Sequence, residues 1–224
     1  MGRKELNKLD YGSEEKIRIR TEKELHLQNE GLLLIKRILD ELGCSWFVTG
    51  GTLLGAVREK DFIKWDWDVE VSLLTEEILD QEGRLLILLQ KNGFEIAKVD
   101  RTYDNYKVVA EQFGAVYEFL ARHKIRGMRA RKYTVVPAKF FECAEKIEFR
   151  GTCYPCPSPP EDYLTYLYGD WETPKRTTDK KKYFSDQAYI AKDDIHGQRF
   201  FVGRVIRRAK RLLSEFGVRR AQIK

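Results

Sequence analysis

The chain has 224 residues and a mass of 26.4 kDa, and 42% of its residues are hydrophobic. That is enough apolar side chain for one sizeable core, which excludes a wholly disordered chain and predicts one domain with at most a short appendage. The charge is uneven, because residues 195–224 hold nine basic side chains and one acid and carry +8, whereas residues 1–194 carry −2. The basic pI of about 9.0 therefore describes the tail and not the domain before it.

The sequence predicts a cytoplasmic protein. No apolar run reaches the roughly 18–20 residues of a membrane span, and Met1–Asp10 lacks the apolar stretch of a signal peptide. The cysteines Cys44, Cys143, Cys153 and Cys156 are too few for a disulfide framework. Cys153 and Cys156 have the spacing of half a zinc site, but a second ligand pair is missing, so free thiols are expected.

A long amphipathic helix is expected in the N-terminal part of the chain. Apolar side chains recur at helical spacing from Leu25 to Leu42, and Ser13 followed by two glutamates has the composition of a helix start. Gly43 predicts the end of this helix.

The next segment predicts two strands separated by a glycine turn. Residues 45–49 are short, apolar and β-prone, and the Gly50-Gly51 pair interrupts them. A short helix is expected from about 52 to 58, and residues 69–74 predict the second strand.

The second half predicts several strands and few helices. Thr75 begins an amphipathic helix that ends at Gly93. The expected strands span residues 94–99, 106–110, 115–120, 131–136 and 146–149. Ser158 and Glu161 have the spacing of a capping box and predict a helix that ends at Gly169. We therefore expect an α+β fold, in which a mixed β-sheet packs against α-helices.

The basic tail forms a separate unit in this interpretation. Its apolar residues from Phe201 to Phe216 share one helical face, and arginines occupy the other. Such a helix is typical of a membrane surface, but also of a helix that docks on its own domain or forms a homodimer. Nucleic-acid binding ranks last, because the core has no RNA-recognition signature. We expect a domain of residues 1–194 and a C-terminal basic amphipathic helix of residues 195–224.

One constellation in the first half points to phosphoryl transfer. Asp68 and Glu70 are two residues apart on a predicted strand, so their side chains share a face, with Cα atoms roughly 6.5–7 Å apart. Paired carboxylates suit a hard ion such as Mg²⁺, and the Gly50-Gly51 turn before a helix suits a phosphate. Either feature alone has an ordinary explanation, namely an exposed strand face or a common turn. Together they supply what phosphoryl transfer needs.

Three stretches resemble a known family. Residues 51–58 read G-T-L-L-G-A-V-R, residues 62–70 read F-I-K-W-D-W-D-V-E, and residues 163–174 read Y-L-T-Y-L-Y-G-D-W-E-T-P. They resemble the motifs of the LicD/fukutin family, which belongs to the DNA-polymerase-β-like nucleotidyltransferase superfamily. The resemblance covers residues 25 to 180 and implies a nucleotidyltransferase-like fold.

The resemblance also implies roles for individual residues. The family's metal-binding pair falls on Asp68 and Glu70, and the third carboxylate of the superfamily falls on Glu118. These three residues would be catalytic and would bind Mg²⁺, which Mn²⁺ could replace. The implied substrate-binding residues are Gly50, Gly51 and Thr52 at the phosphates, Arg58 as a charge partner, and Asp66 and Trp67 beside the acidic pair.

This sequence departs from the family pattern in its acidic motif. The usual W-D-D-D-I-D appears as W-D-W-D-V-E, so Trp67 replaces an acid and Glu70 is one methylene longer than aspartate. The number of bound metal ions therefore stays open.

The resemblance implies transfer of a phospho-alcohol group, such as phosphocholine or ribitol phosphate, from a CDP-alcohol donor to a hydroxyl of a cell-surface glycan. Two alternatives remain: a nucleotidyltransferase that attaches a nucleoside monophosphate to a protein, RNA or small molecule, and a non-catalytic member that acts as a partner subunit. The expected location is the cytoplasm, with peripheral contact at the inner face of the plasma membrane if the tail binds lipid.

Overall fold

A computed structural model describes residues 18–102, 105–177 and 179–190. The first helix, α1 (Glu22–Leu42), begins at Thr21, whose hydroxyl accepts a hydrogen bond from the backbone N–H of Glu24. The Glu24 carboxylate accepts one from the backbone N–H of Thr21 in return. Gly43 ends the helix with a φ of 74°, as predicted. The helix that carries Leu25 therefore begins at Glu22, because Thr21 and Glu24 form a capping box there. The helix start predicted at Ser13 lies outside the described residues.

A seven-stranded mixed sheet forms the centre of the fold. Its strands are β1 (Trp46–Val48), β2 (Asp68–Leu74), β3 (Glu95–Thr102), β4 (Asn105–Gln112), β5 (Ala115–Ile125), β6 (Met128–Arg131) and β7 (Thr134–Pro137). The order is β1-β2-β5-β4-β3, and β6 and β7 continue from one end of β5. Only β2 and β5 are parallel among these pairs. A separate hairpin holds β8 (Glu145–Phe149) and β9 (Thr152–Cys156). The expected α+β class with a mixed sheet is confirmed.

The remaining helices are α2 (Gly50–Arg58), α3 (Thr75–Ile78), α4 (Glu82–Lys91), α5 (Pro160–Tyr168) and α6 (Lys180–Tyr183). The single helix expected after Thr75 is wrong, since a 3-10 turn at Leu79–Gln81 separates α3 from α4. Leu79 is half exposed there, so the apolar residues of this segment do not all lie on one buried helical face. The prediction of one strand over residues 131–136 is also wrong, because a turn at Lys132, with a φ of 46°, separates β6 from β7.

The capping box predicted at Ser158 is absent. The hydroxyl of Ser158 donates to a Glu145 carboxylate oxygen at 3.2 Å, and no side chain caps α5, whose N-cap residue is Pro159. Ser158 is therefore used to join α5 to the β8–β9 hairpin. Gly169 ends α5 as expected.

The two faces of β5 have different neighbours. Tyr117, Phe119 and Ala121 are buried in the hydrophobic core, and the Tyr117 hydroxyl donates to the backbone carbonyl of Gln28 in α1 at 3.3 Å. Side chains alternate along a strand, so the intervening residues face the other way. That second face of the sheet forms a cleft.

The cysteines are free thiols, as expected. Cys153 is exposed and Cys156 is buried on the same short strand, and burial raises the pKa of Cys156 to about 12. Within the described residues, no helix is both long and apolar enough to cross a membrane. The compact unit described above ends at Tyr189. The tail of residues 195–224, and with it the predicted boundary at 194, lies outside the described residues.

Candidate active site

The structure brings the predicted carboxylates together on one face of the sheet. Asp68 and Glu70 lie on that face of β2, and Glu118 of β5 is the direct neighbour of Glu70 in the parallel pairing. Asp66 precedes β2 and lies in the same cleft. The four acids form an acidic cluster (Asp66, Asp68, Glu70 and Glu118) on the floor of the cleft.

Burial and repulsion between carboxylates raise the pKa values of Asp66, Asp68 and Glu70. Burial, with repulsion from Glu70, raises the pKa of Asp66 to about 6. Burial, with repulsion from Asp68 and Glu118, raises the pKa of Glu70 to about 7. The pKa of Asp68 lies well above its usual range, because its carboxylate is buried and is repelled by Asp66 and Glu118. A cation bound among these groups would therefore stabilise the folded protein.

The raised pKa of Glu70 predicts a pH-dependent stability in metal-free buffer. Its ordinary value is 4.5 and its folded value is about 7, so its contribution to stability is complete below pH 4.5 and is lost as the pH rises through 7. The Glu70→Gln variant has no such loss, so its stability relative to wild type should increase by about 2 to 3 kcal/mol from pH 4.5 to 8. Urea unfolding in EDTA at several pH values measures this difference.

Glu111→Gln provides the control, because Glu111 is an exposed carboxylate on β4. Its stability relative to wild type should stay constant over the same pH range. A Glu70→Gln curve parallel to that of wild type would contradict the pKa shift.

The glycine turn holds the acidic cluster in place. The backbone N–H of Gly51 donates to Glu70 Oε2 at 2.8 Å, and the backbone N–H of Glu70 donates to Thr52 Oγ1 at 2.9 Å. A Cβ atom on Gly50 would lie 1.6 Å from Glu70 Oε2, and one on Gly51 would lie 1.8 Å from Asp66 Oδ2. Glycine is needed here because the carboxylates touch the backbone. Gly50 lines the cleft, while Gly51 and Thr52 bind Glu70; their predicted role at the phosphates stays a prediction.

Trp67 lies between two arginines rather than in the core. The guanidinium carbons of Arg18 and Arg20 are 4.5 and 4.6 Å from its ring centroid. Arg20 is buried and donates hydrogen bonds to Gln28 Oε1 and to the backbone carbonyl of Trp67. Its positive charge also interacts with Asp66, a member of the acidic cluster. Trp67, which replaces an acid of the family motif, therefore helps to position the loop before β2.

Arg20→Met is expected to destabilise the protein by about 2 to 4 kcal/mol, because Gln28 and the Trp67 carbonyl would lose a buried charged donor. Arg18→Met is a matched control, since Arg18 stacks on the same ring but is exposed and pairs with Glu24 at the surface. Its cost should stay within about 1 kcal/mol. Urea unfolding of both variants tests the difference, and equal losses would contradict the role of Arg20.

Basic residues surround the acidic cluster. Lys107 of β4 forms an ion pair with Glu118. The negative charges of Glu70, Glu118 and Asp68 act on Arg131. The Nε atom of Arg131 has no hydrogen-bond partner among the described residues. Neither Arg131 nor Lys107 was among the predicted site residues, although Lys107 lies in the strand expected over residues 106–110.

The cleft has a volume of about 680 Å³ and room for a nucleotide-sized ligand. Eight basic residues line it: Arg58, Lys107, Arg122, Arg131, Lys132, Lys175, Arg176 and Lys180. Five acidic residues line it, namely the acidic cluster and Asp170. Arg58 donates to the backbone carbonyl of Trp171 at 2.9 Å, so it also fixes the segment after α5. The Arg176 guanidinium stacks on Trp65 with its carbon 4.2 Å from the ring centroid.

The donor atoms of the cluster suit a small divalent ion. Carboxylate oxygens are the ligands that Mg²⁺ prefers, and one or two carboxylates commonly hold it together with substrate phosphates. Asp68 and Glu70 fit this pattern, because Gly51 binds only Oε2 of Glu70. Among the described residues, no group of three or more histidine, cysteine, aspartate or glutamate side chains is arranged around a common metal position. The fit is therefore to a carboxylate pair and not to a closed metal cage.

A family profile matches the part of the chain that contains the acidic motif. Residues 43–159 match the family profile described as LicD/FKTN/FKRP, nucleotidyltransferase domain. Forty-one residues are 39% identical to the ribitol 5-phosphate transferase FKRP of mouse and of human. That match covers 18% of this chain and 8% of FKRP, so the chain matches only a small part of the length of these relatives.

Solved structures are similar to this chain at lower identity. The solution structure of the antibiotic-resistance factor ANT(2″)-Ia is 15% identical, with a TM-score of 0.45 over 84% of this chain and 97% of that one. The crystal structure of ANT(2″)-Ia with adenylyl-2″-tobramycin has a TM-score of 0.42 at 18% identity, over 58% of this chain and 70% of that one. The family profile covers more than half of the chain and includes the glycine turn, the acidic motif and Glu118. The chain belongs to the LicD/FKTN/FKRP family and contains its nucleotidyltransferase domain.

Proposed function

We propose that this protein is a Mg²⁺-dependent transferase that moves a phospho-alcohol group from a CDP-alcohol, such as CDP-choline or CDP-ribitol, to a hydroxyl of a cell-surface glycan. Membership of the family and the local similarity to a ribitol 5-phosphate transferase support this class of reaction. The observation that carries the proposal is the cleft itself, where an acidic cluster able to hold a metal ion lies among basic side chains able to hold a diphosphate.

Each part of the cleft has a role in this proposal. Asp68 and Glu70 would hold Mg²⁺ at the donor diphosphate, and the chemistry it would supply there is neutralisation of the phosphate charge. Arg131 lines the cleft and is the candidate for binding a phosphate oxygen. The turn at Gly50 fixes the carboxylate of Glu70, and Arg20 fixes the loop that carries Asp66. Catalysis then depends on positioning and on stabilised charge.

At phosphorus the reaction forms one P–O bond and breaks one, and one proton is transferred. The acceptor oxygen bonds to the phosphorus that carries the alcohol, the bridging bond of the diphosphate breaks, and CMP leaves. The hydroxyl proton passes to a carboxylate of the acidic cluster, for which Glu118 is the candidate. The product is a phosphodiester between the alcohol and the glycan.

Product analysis tests this function. The full chain is incubated with Mg²⁺, with CDP-ribitol or CDP-choline, and with a set of p-nitrophenyl glycosides as acceptors. We expect chromatography to detect released CMP and ³¹P NMR to show the signal of a new phosphodiester. Release of pyrophosphate from a nucleoside triphosphate, with no CMP from either CDP-alcohol, would instead establish a nucleotidyltransferase.

A non-catalytic partner subunit is a second candidate, favoured by Trp67 in place of a family acid. Mg²⁺-dependent turnover would exclude it. Peripheral membrane contact, a homodimer through residues 195–224 and a cytoplasmic location remain predictions from the sequence.

A further inference from the structure

Lys107 places a positive charge inside the acidic cluster. Its ammonium pairs with Glu118 Oε1, and the two side chains are only 22% and 15% exposed. Salt screens a charge pair weakly at that depth. In the antiparallel pairing of β4 and β5, Lys107 lies opposite Leu120 and Glu118 lies opposite Val109, so the ion pair runs diagonally across one face of the sheet, past the intervening Val108–Phe119 pair. Sheet register, and not a flexible surface chain, holds the ammonium in place.

The ammonium acts on more than Glu118. Glu118 is the neighbour of Glu70 across the β2–β5 pair, and the charge of Lys107 also opposes the repulsion that Asp66 and Glu118 exert on Asp68. Lys107 therefore neutralises the side of the cluster formed by β5. Asp68 and Glu70, on β2, form the other side.

We propose that Lys107 takes the place of a second divalent cation, so that the cleft binds a single metal ion through Asp68 and Glu70. The inference rests on the proposed function, which requires a metal ion at the donor diphosphate. It departs from the family-based expectation that Glu118 is a metal ligand.

Electrostatics supports a single ion. Two-metal sites hold their ions about 3.5–4 Å apart. A second ion on the β5 side would lie close to the Lys107 ammonium, where a divalent charge is repelled twice as strongly as a monovalent one. The cleft lining already holds more basic than acidic residues. Neutralising a diphosphate therefore does not depend on a second ion.

Counting bound ions tests the inference directly. Mn²⁺ is titrated alone into the full chain, and the free ion is measured by electron paramagnetic resonance. Wild type is expected to bind one ion per chain and Lys107→Arg also one, because arginine keeps the charge. Lys107→Met is expected to bind two, because Glu118 is released. Two ions in wild type, or one in Lys107→Met, would overturn the inference without affecting the proposed function.

Two further variants keep the test decisive if Lys107→Met does not fold. Glu118→Gln should retain the single ion, whereas Asp68→Asn should lose it. Loss of the ion in Glu118→Gln would show that Glu118 is a direct ligand and would overturn the inference. No bound ion in wild type would instead remove the metal requirement of the proposed function.

Discussion

Replacing Asp68 by asparagine is expected to lower the rate of transfer by at least about 1000-fold while the fold stays intact. Asp68 belongs to the acidic cluster, where the charges of Asp66 and Glu118 both act on it, and its carboxylate is one of the two proposed metal ligands. Asparagine has nearly the same shape but lacks the negative charge that the ion needs. Steady-state release of CMP from a CDP-alcohol measures the loss.

The same substitution should make the metal-free protein more stable. Asp68 has a pKa well above its usual range because its charge is buried among like charges, and asparagine removes that repulsion. Asp80→Asn is the control, since Asp80 lies on the 3-10 turn between α3 and α4, away from the cleft. It should change neither the rate nor the melting temperature. Full activity in Asp68→Asn would contradict the metal site.

Replacing Gly50 by alanine is expected to lower kcat by about 100-fold, because a displacement of about 1 Å at a catalytic group costs that much. The added methyl group would lie 1.6 Å from Glu70 Oε2, so the carboxylate must move away from the Gly51 N–H that holds it. Gly50 also has a φ of 59°, which strains any other residue. Kinetics with a CDP-alcohol and unfolding in urea separate the two effects.

Gly151→Ala is the matched control for the backbone strain. Gly151 has a φ of 75° in the turn between β8 and β9, and a Cβ atom there would meet nothing within 4 Å. Gly151→Ala should lose about 1 kcal/mol of stability from backbone strain alone and keep its activity. Gly50→Ala should lose more stability than that, because its methyl group also displaces Glu70, and it should lose activity as well. Equal activity in the two variants would contradict the contact between Gly50 and Glu70.

Local patterns explain which parts of the site could be predicted. Asp68 and Glu70 follow from strand alternation, and the Gly50-Gly51 turn follows from composition, because both depend on neighbouring residues. Glu118 was found only through the family resemblance. Its position beside Glu70 depends on the parallel pairing of β2 with β5, which no local pattern encodes.

Long-range contacts explain what was missed. Lys107 reaches Glu118 only because β4 and β5 pair in one register. Arg20 supports a loop 47 residues further along the chain through the carbonyl of Trp67. The capping box predicted at Ser158 was wrong because Ser158 binds Glu145 instead. The helix start predicted at Ser13 lies outside the described residues, and the helix that carries Leu25 is capped by Thr21 with Glu24.

In the proposed function, binding of the donor diphosphate to the acidic cluster requires a divalent ion. Thermal unfolding of the full chain, with Mg²⁺ and CDP-ribitol or CDP-choline added singly and together, tests it most directly. One CDP-alcohol at about 100 times its Kd should raise the melting temperature by about 5 °C or more, only when Mg²⁺ is present, and not in Asp68→Asn. An equal rise without Mg²⁺, or in Asp68→Asn, would contradict the account.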